Sequence, residues 1–196
     1  MTPGIAGVDE AGRGPLAGPV VAAAVILPDR FDARGINDSK KLTADQRRVQ
    51  FDRITELAHV SYSIVGPEEI DELNILEATM LAMKRALEHL GEHAREAFID
   101  GDRVPRELSV RAFPVVKGDA TYAAVAAASI VAKTVRDDLM VRFAAQYPKY
   151  GFHKHFGYPT PEHIEALRVH GPCPIHRRTF ARVRELVEQP CLAIDA

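Results

Sequence analysis

Cysteine is scarce and long apolar runs are missing. The two cysteines, Cys173 and Cys191, stand near the C-terminal end of 196 residues, without metal-ligand spacing, and so argue against a disulfide scaffold or a zinc ribbon. His153 and His155 are close in sequence but have no cysteine or glutamate partner at zinc spacing. The apolar stretch Val20 to Leu27 is only strand-sized, far below the ~20 residues of a membrane-spanning helix. No basic region precedes an apolar stretch at the N-terminus, which argues against a secretory signal and for a cytoplasmic protein. Internal repeats, low-complexity tracts and linkers are also lacking. Neither sign of charge dominates: the formal net charge is −2. The spread is uneven, however. Up to Asp100 there are 11 Lys+Arg against 17 Asp+Glu (−6), and beyond it 14 against 10 (+4), which allows a basic C-terminal half beside an acidic site.

What is present is enough apolar residue, 46%, for one substantial core. We therefore expect a single domain over residues 1–196, with about 147–196 forming a C-terminal helical appendage of the same domain. Its organising stretch is Gly7 to Pro15. There Asp9 and Glu10 stand side by side after the apolar Ile5, Ala6 and Val8, and Gly12, Arg13 and Gly14 follow at once. Strand neighbours point to opposite faces, so only one of the two carboxylates faces inward cheaply. Either the pair ends a strand in a solvated acidic turn, or a divalent cation takes up the charge. The glycines open the main chain to close approach, with an arginine among them for phosphate.

The rest of the chain alternates between strand and helix patterns. Pro19 to Leu27 reads as a buried strand pairing antiparallel with the first, and Val60 to Val65 as a third. Thr43 and Gln46 have capping-box spacing for a helix to Leu57. A short helical turn at Glu68 to Ile70 precedes a helix over Asn74 to Leu90. Glu96 to Asp100 and Val110 to Val116 are the fourth and fifth strands. Asp119 is placed to start a helix reaching Gln146, Thr160 and Pro161 start another that Gly171 ends, and Arg178 to Val187 is the last. This order predicts an α/β fold with a mixed sheet and helices on both faces.

Asp100 ends the fourth strand and Asp119 follows the fifth, so both can meet Asp9 and Glu10 at one sheet edge. Such a cluster requires counter-charge, and hard divalent cations provide it. Taken singly, Asp100-Gly101 is also a plain turn and Asp119 a plain helix cap. Asp137 is the rival ligand. A continuous helix from Asp119 at ~1.5 Å per residue carries it about 27 Å away, so Asp119 is preferred, and Asp137-Asp138 is expected at the surface beside Arg136 or Arg142.

Seven stretches in order give the chain a resemblance: Gly7 to Pro15, Asp38 to Leu42, Asp100-Gly101, Lys117 to Asp119, Ala127 to Lys133, Gly157 to Thr160 and His176 to Phe180. Together they resemble the ribonuclease HII family, the bacterial type 2 ribonucleases H. The resemblance implies a ribonuclease H-like fold, with a five-stranded mixed sheet flanked by helices and a C-terminal helical segment. It implies an endonuclease that cleaves the RNA of RNA·DNA hybrids and nicks 5′ of ribonucleotides embedded in duplex DNA. Asp9, Glu10, Asp100 and Asp119 would then be the catalytic ligands of two Mg²⁺ or Mn²⁺ ions. By the same resemblance Gly12, Arg13 and Gly14 sense the ribose 2′-OH, and Tyr158 packs on the sugar at the RNA–DNA junction. Lys40, Lys41, Lys117, Lys154, Arg177 and Arg178 are candidates for phosphate contacts, and Lys133 is expected to pack its helix against the sheet. Phe156 stands where the family often has lysine, and Thr179 where serine is usual. The expected state is a monomer with no organic cofactor and no membrane partner.

Overall fold

The computed structural model describes residues 4–36 and 42–188. Five strands form one sheet: β1 (Gly4–Ala11), β2 (Val20–Ile26), β3 (His59–Val65), β4 (Ala94–Asp100) and β5 (Arg111–Val115), in the order β3-β2-β1-β4-β5. β1 runs antiparallel to β2 and parallel to β4, with Val8 opposite Ala24 on one side and Ile99 on the other. β4 and β5 are parallel, pairing Asp100 with Val115. The mixed sheet is thus as expected, and it brings the carboxyl ends of β1, β4 and β5 to one edge.

All of β2 is buried, because helices cover both faces and alternate residues enter different cores. Ala22, Ala24 and Ile26 pack with Ala78, Ala82, Met83 and Ala86 of α3 (Ile75–His89). Val21, Ala23 and Val25 pack on the other side with Ile54 of α1 (Ala44–Leu57) and the alanine-rich front of α5 (Ala123–Gln146). α5 crosses β1 so closely that a Cβ on Gly7 would overlap the Ala124–Val125 backbone. Only glycine permits that approach.

Several helix starts follow from side-chain caps. Thr43 and Gln46 form the expected capping box of α1. Asn74 ends α2 (Pro67–Leu73) with φ 72° and accepts from the amides of Leu76 and Glu77, which starts α3 at the next residue. Thr160 accepts from the His163 amide at the head of α7 (Pro161–His170).

The helix expected from Asp119 to Gln146 is instead two. α4 (Gly118–Thr121) is a single turn, capped by Lys117 at φ 58°, and Tyr122 is extended before α5 begins. Asp119 lies in the first turn of α4 and does not cap it. The Tyr122 ring packs on Phe98 of β4, with centroids 4.4 Å apart, and this contact holds the break. The remaining α-helices among the described residues are α6 (Phe152–His155) and α8 (Ala181–Glu188). α8 starts three residues later than expected, because Arg178 and Thr179 donate their amides to Asp71 in α2.

The region after Tyr147 packs on the loop that follows β1. Ala17, Met140, Tyr150, Phe152, Cys173 and Ile175 form a core of their own. Three histidines pack beside it and bond to their neighbours. His163 Nδ1 donates to the Tyr158 carbonyl (2.9 Å), so its Nε2 is the acceptor for His176 Nε2 (3.1 Å). His176 Nδ1 in turn accepts from the Cys173 amide (3.0 Å). His155 donates from Nε2 to the Tyr150 carbonyl and accepts at Nδ1 from the Gly157 amide. The His163 and His176 rings are therefore neutral, each with a tautomer set by its neighbours.

Candidate active site

Asp9 and Glu10 lie near the end of β1 and leave it on opposite faces. Asp9 is 5% exposed, points to the α5 side and bonds to Ser129 there. Its Oδ1 accepts from the Glu10 amide at 2.7 Å. Asp100, at the end of neighbouring β4, is fixed by the Gly118 amide, which donates to Oδ1 at 2.7 Å. Because β1 and β4 are parallel, these side chains meet: one oxygen from each of Asp9, Glu10 and Asp100 lies within 4.8 Å of the others.

The electrostatics follow from that packing. Burial holds the Asp9 carboxyl well above the usual carboxylate range, and the nearby Glu10 and Asp100 push it further. Glu10 is also raised by burial, against the pull of the Arg13 guanidinium 3.5 Å away. Three acidic groups brought this close suit a hard divalent cation, whose oxygen ligands these carboxylates can be. Asp119 lines the same cleft, half-buried, without joining the group of three.

The cleft has a volume of about 430 Å³. Gly12, Arg13, Gly14 and Tyr158 all line it. Tyr158 is 42% exposed, and its ring faces Gly14: a Cβ there would lie 3.6 Å from the ring. A larger groove of about 520 Å³ runs along α3 beside Val104 to Glu107. It contains none of the four carboxylates.

Sequence reasoning missed the rest of the lining, Arg47 from α1 and Ser129, Lys133 and Arg136 from α5. The spacing of 129, 133 and 136 places these three on one helix face, a signal that the alanine-rich context masks. Lys133 does more than pack, as expected of it: it pairs with Asp137 at 2.7 Å and lies 5.0 Å from the centre of the Phe156 ring. Asp137 is bound there and by Arg47 (3.4 Å), and Asp138 by Arg48 (2.5 Å). Asp137 is thus largely buried, 14% exposed, and does not pair with Arg136 or Arg142.

The basic candidates divide. Lys117, Lys154 and Arg178 are exposed, Lys154 pairing with Glu162 at 2.7 Å. Lys40 and Lys41 lie outside the described residues. Arg177 differs from expectation: it is fully buried and donates to the carbonyls of Gly12, Arg13, Pro15 and Gly18. Its guanidinium is consumed by the main chain, which leaves no donor face for a phosphate. Burial pushes it down to about 9, with Arg136 adding repulsion.

Sheet order and clustered carboxylates define the class first: an enzyme of the ribonuclease H-like fold with an acidic, metal-binding centre. Comparison with known proteins then gives the family. The model of the family described as Ribonuclease HII matches residues 6–183. A ribonuclease HII of Neisseria meningitidis serogroup C (strain 053442) is 53% identical over 188 residues, covering 95% of this chain and 97% of that protein. One of Pelodictyon phaeoclathratiforme is 51% identical over 192 residues, with coverage of 95% and 93%. Among solved structures, the ribonuclease H2 of Pyrococcus horikoshii OT3 superposes with a TM-score of 0.79 at 30% identity, over 94% of this chain and 97% of that one. The chain belongs to the ribonuclease HII family, whose members are metal-dependent endoribonucleases.

Proposed function

We propose that this chain hydrolyses the RNA strand of RNA·DNA hybrids and nicks duplex DNA on the 5′ side of an embedded ribonucleotide, leaving 5′-phosphate and 3′-hydroxyl ends. The observation that carries the reading is the meeting of Asp9, Glu10 and Asp100 beside a glycine-rich wall and an exposed tyrosine. With Asp119, these carboxylates would hold two Mg²⁺ or Mn²⁺ ions. Such ions would supply an activated water and stabilisation of the leaving 3′-oxygen.

The residues of the chain do the rest. Ser129 and the Glu10 amide orient Asp9, and the Gly118 amide orients Asp100, so that the ligand oxygens are placed before a cation arrives. Gly12, Arg13 and Gly14 would read the ribose 2′-OH, the group that separates RNA from DNA. Tyr158, facing Gly14 across a short gap, would stack on the sugar at the RNA–DNA junction. Lys117, Lys40 and Lys41 would contact phosphates. Residues 1–196 would act as one domain, monomeric and cytoplasmic, without an organic cofactor.

The test is cleavage of a duplex carrying one ribonucleotide, with Mg²⁺ or Mn²⁺. A nick on its 5′ side is expected. If an all-DNA duplex is cut equally well, the reading is wrong. If only a run of ribonucleotides is cut, the junction role of Tyr158 fails.

A further inference from the structure

Arg136 and Arg177 are the two bulkiest fully buried side chains among the described residues, and no role given above uses them. A buried guanidinium normally has a carboxylate partner. Among the described residues neither arginine makes an ion pair; both are solvated by main-chain carbonyls. Arg177 donates from Nη2 to Gly12 (2.6 Å), from Nη1 to Arg13 (3.0 Å) and Pro15 (2.8 Å), and from Nε to Gly18 (2.9 Å). Arg136 donates from Nε to Pro19 (3.0 Å) and from Nη2 to Ala17 (3.2 Å) and Phe156 (3.1 Å).

The peptide bond is planar and trans, so the carbonyl of one residue and the N–H of the next point in opposite directions. Arg177 draws the carbonyls of Gly12 and Arg13 inward. The N–H groups of Arg13 and Gly14 are thereby turned away from the guanidinium, and both residues line the cleft. Two successive outward N–H groups make a concave donor pair for one oxygen. Arg136 fixes the second coordinate. It joins the loop after β1, through Ala17 and Pro19, to the loop carrying Tyr158, through Phe156, and its guanidinium carbon lies 5.9 Å from the Tyr158 ring centre. Gly12, at φ +100°, rests so closely on Arg136 that a Cβ would overlap it.

We propose that Arg177 and Arg136 are positioning residues for sugar recognition: Arg177 turns two main-chain donors of the Gly12–Gly14 loop toward the ribose, and Arg136 holds that loop at a set distance from Tyr158. The inference rests on the activity proposed above. Lysine keeps the charge and the apolar stem but offers one nitrogen, which cannot span the carbonyls that the planar fork reaches.

The experiment uses the full chain, as wild type, Arg177→Lys and Arg136→Lys, with folding followed by circular dichroism. On a duplex with one ribonucleotide, each folded variant should lose at least about 10-fold in kcat while KM changes by less than about threefold, since phosphate contacts are untouched. A merely structural role would lower the folded fraction and leave kcat per folded molecule unchanged. A second measurement needs no variant. With Ca²⁺ in place of Mg²⁺, the NMR amide signals of Arg13 and Gly14 in the wild type should shift on adding the ribonucleotide-bearing duplex and not on adding its all-DNA counterpart. Equal responses to both duplexes overturn the inference, as does a folded Arg177→Lys with unchanged kcat; if neither variant folds, the amide signals decide. A wild type that cuts no ribonucleotide-bearing duplex would sink the proposed activity itself, whereas active wild type with equally active variants sinks only this inference.

Discussion

His163 Nε2 accepts from His176 Nε2 at 3.1 Å, and the chain of bonds to Tyr158 and Cys173 leaves neither ring an acceptor for a further proton. Burial lowers both to about 4. Unfolded, each would titrate near its usual ~6.5. The pair therefore stabilises the fold fully above that value, and the contribution is lost as pH falls through 6.5 toward 4. We expect the thermal midpoint of wild type to drop over this window, and the drop to be shallower in His163→Gln, whose amide can still donate and accept. Parallel pH profiles for the two proteins in a melting assay would refute the link.

Asp9 has the opposite sign. Its carboxyl is raised by burial and by Glu10 and Asp100, so the metal-free fold is most stable while Asp9 holds its proton and weakens as pH rises through the raised value. In EDTA, Asp9→Asn should melt higher than wild type at neutral pH, by about 1 kcal/mol or more in stability, because an uncompensated buried charge is gone. Adding Mg²⁺ should stabilise wild type and leave the variant nearly unchanged. Scanning fluorimetry with and without Mg²⁺ is sufficient, and a variant that gains as much as wild type would place the cation elsewhere.

Asp100→Asn keeps an oxygen for the Gly118 amide but removes a ligand charge. Loss of several kcal/mol of transition-state stabilisation corresponds to a fall of about 10³-fold in cleavage. Hybrid binding, measured by fluorescence anisotropy in Ca²⁺, should survive, since no phosphate contact is removed. Retained cleavage would show that Asp100 is not a ligand.

Gly7→Ala inserts a methyl group where α5 lies on β1. Overpacking at such a contact costs about 1–3 kcal/mol, and here the obstacle is backbone on both sides, so the upper end is expected in urea denaturation. Unchanged stability would mean that α5 can lift off the sheet freely.

Much of this was legible before folding because it is local. The capping pair Thr43 and Gln46 and the Thr160 cap reside within three or four residues of what they fix. The placing of Asp9 and Asp100 at strand ends allowed them to converge, and the parallel pairing of β1 and β4 brings them together. What escaped was long-range. Tyr122 breaks the expected helix because its ring finds Phe98, and no proline or glycine marks the spot. Arg177 reads as a surface cation until residues 12–18, some 160 positions earlier, present carbonyls in need of donors. Lys133 read as a packing residue because the alanines around it hide which helix face is polar.

The wall formed by Ser129, Lys133 and Arg136 is one uninterrupted segment of α5. Seven residues of helix span about 10 Å, so this segment works as a ruler laid between the carboxylates and the tyrosine loop. Inserting a single residue within it would swing Arg136 by about 100° around the helix axis and detach it from Pro19 and Phe156 together. Length changes elsewhere, as in the turn between β4 and β5, would leave that measure intact. Engineering of this fold should thus keep the count from 129 to 136, together with the loops that carry Gly12–Gly14 and Tyr158.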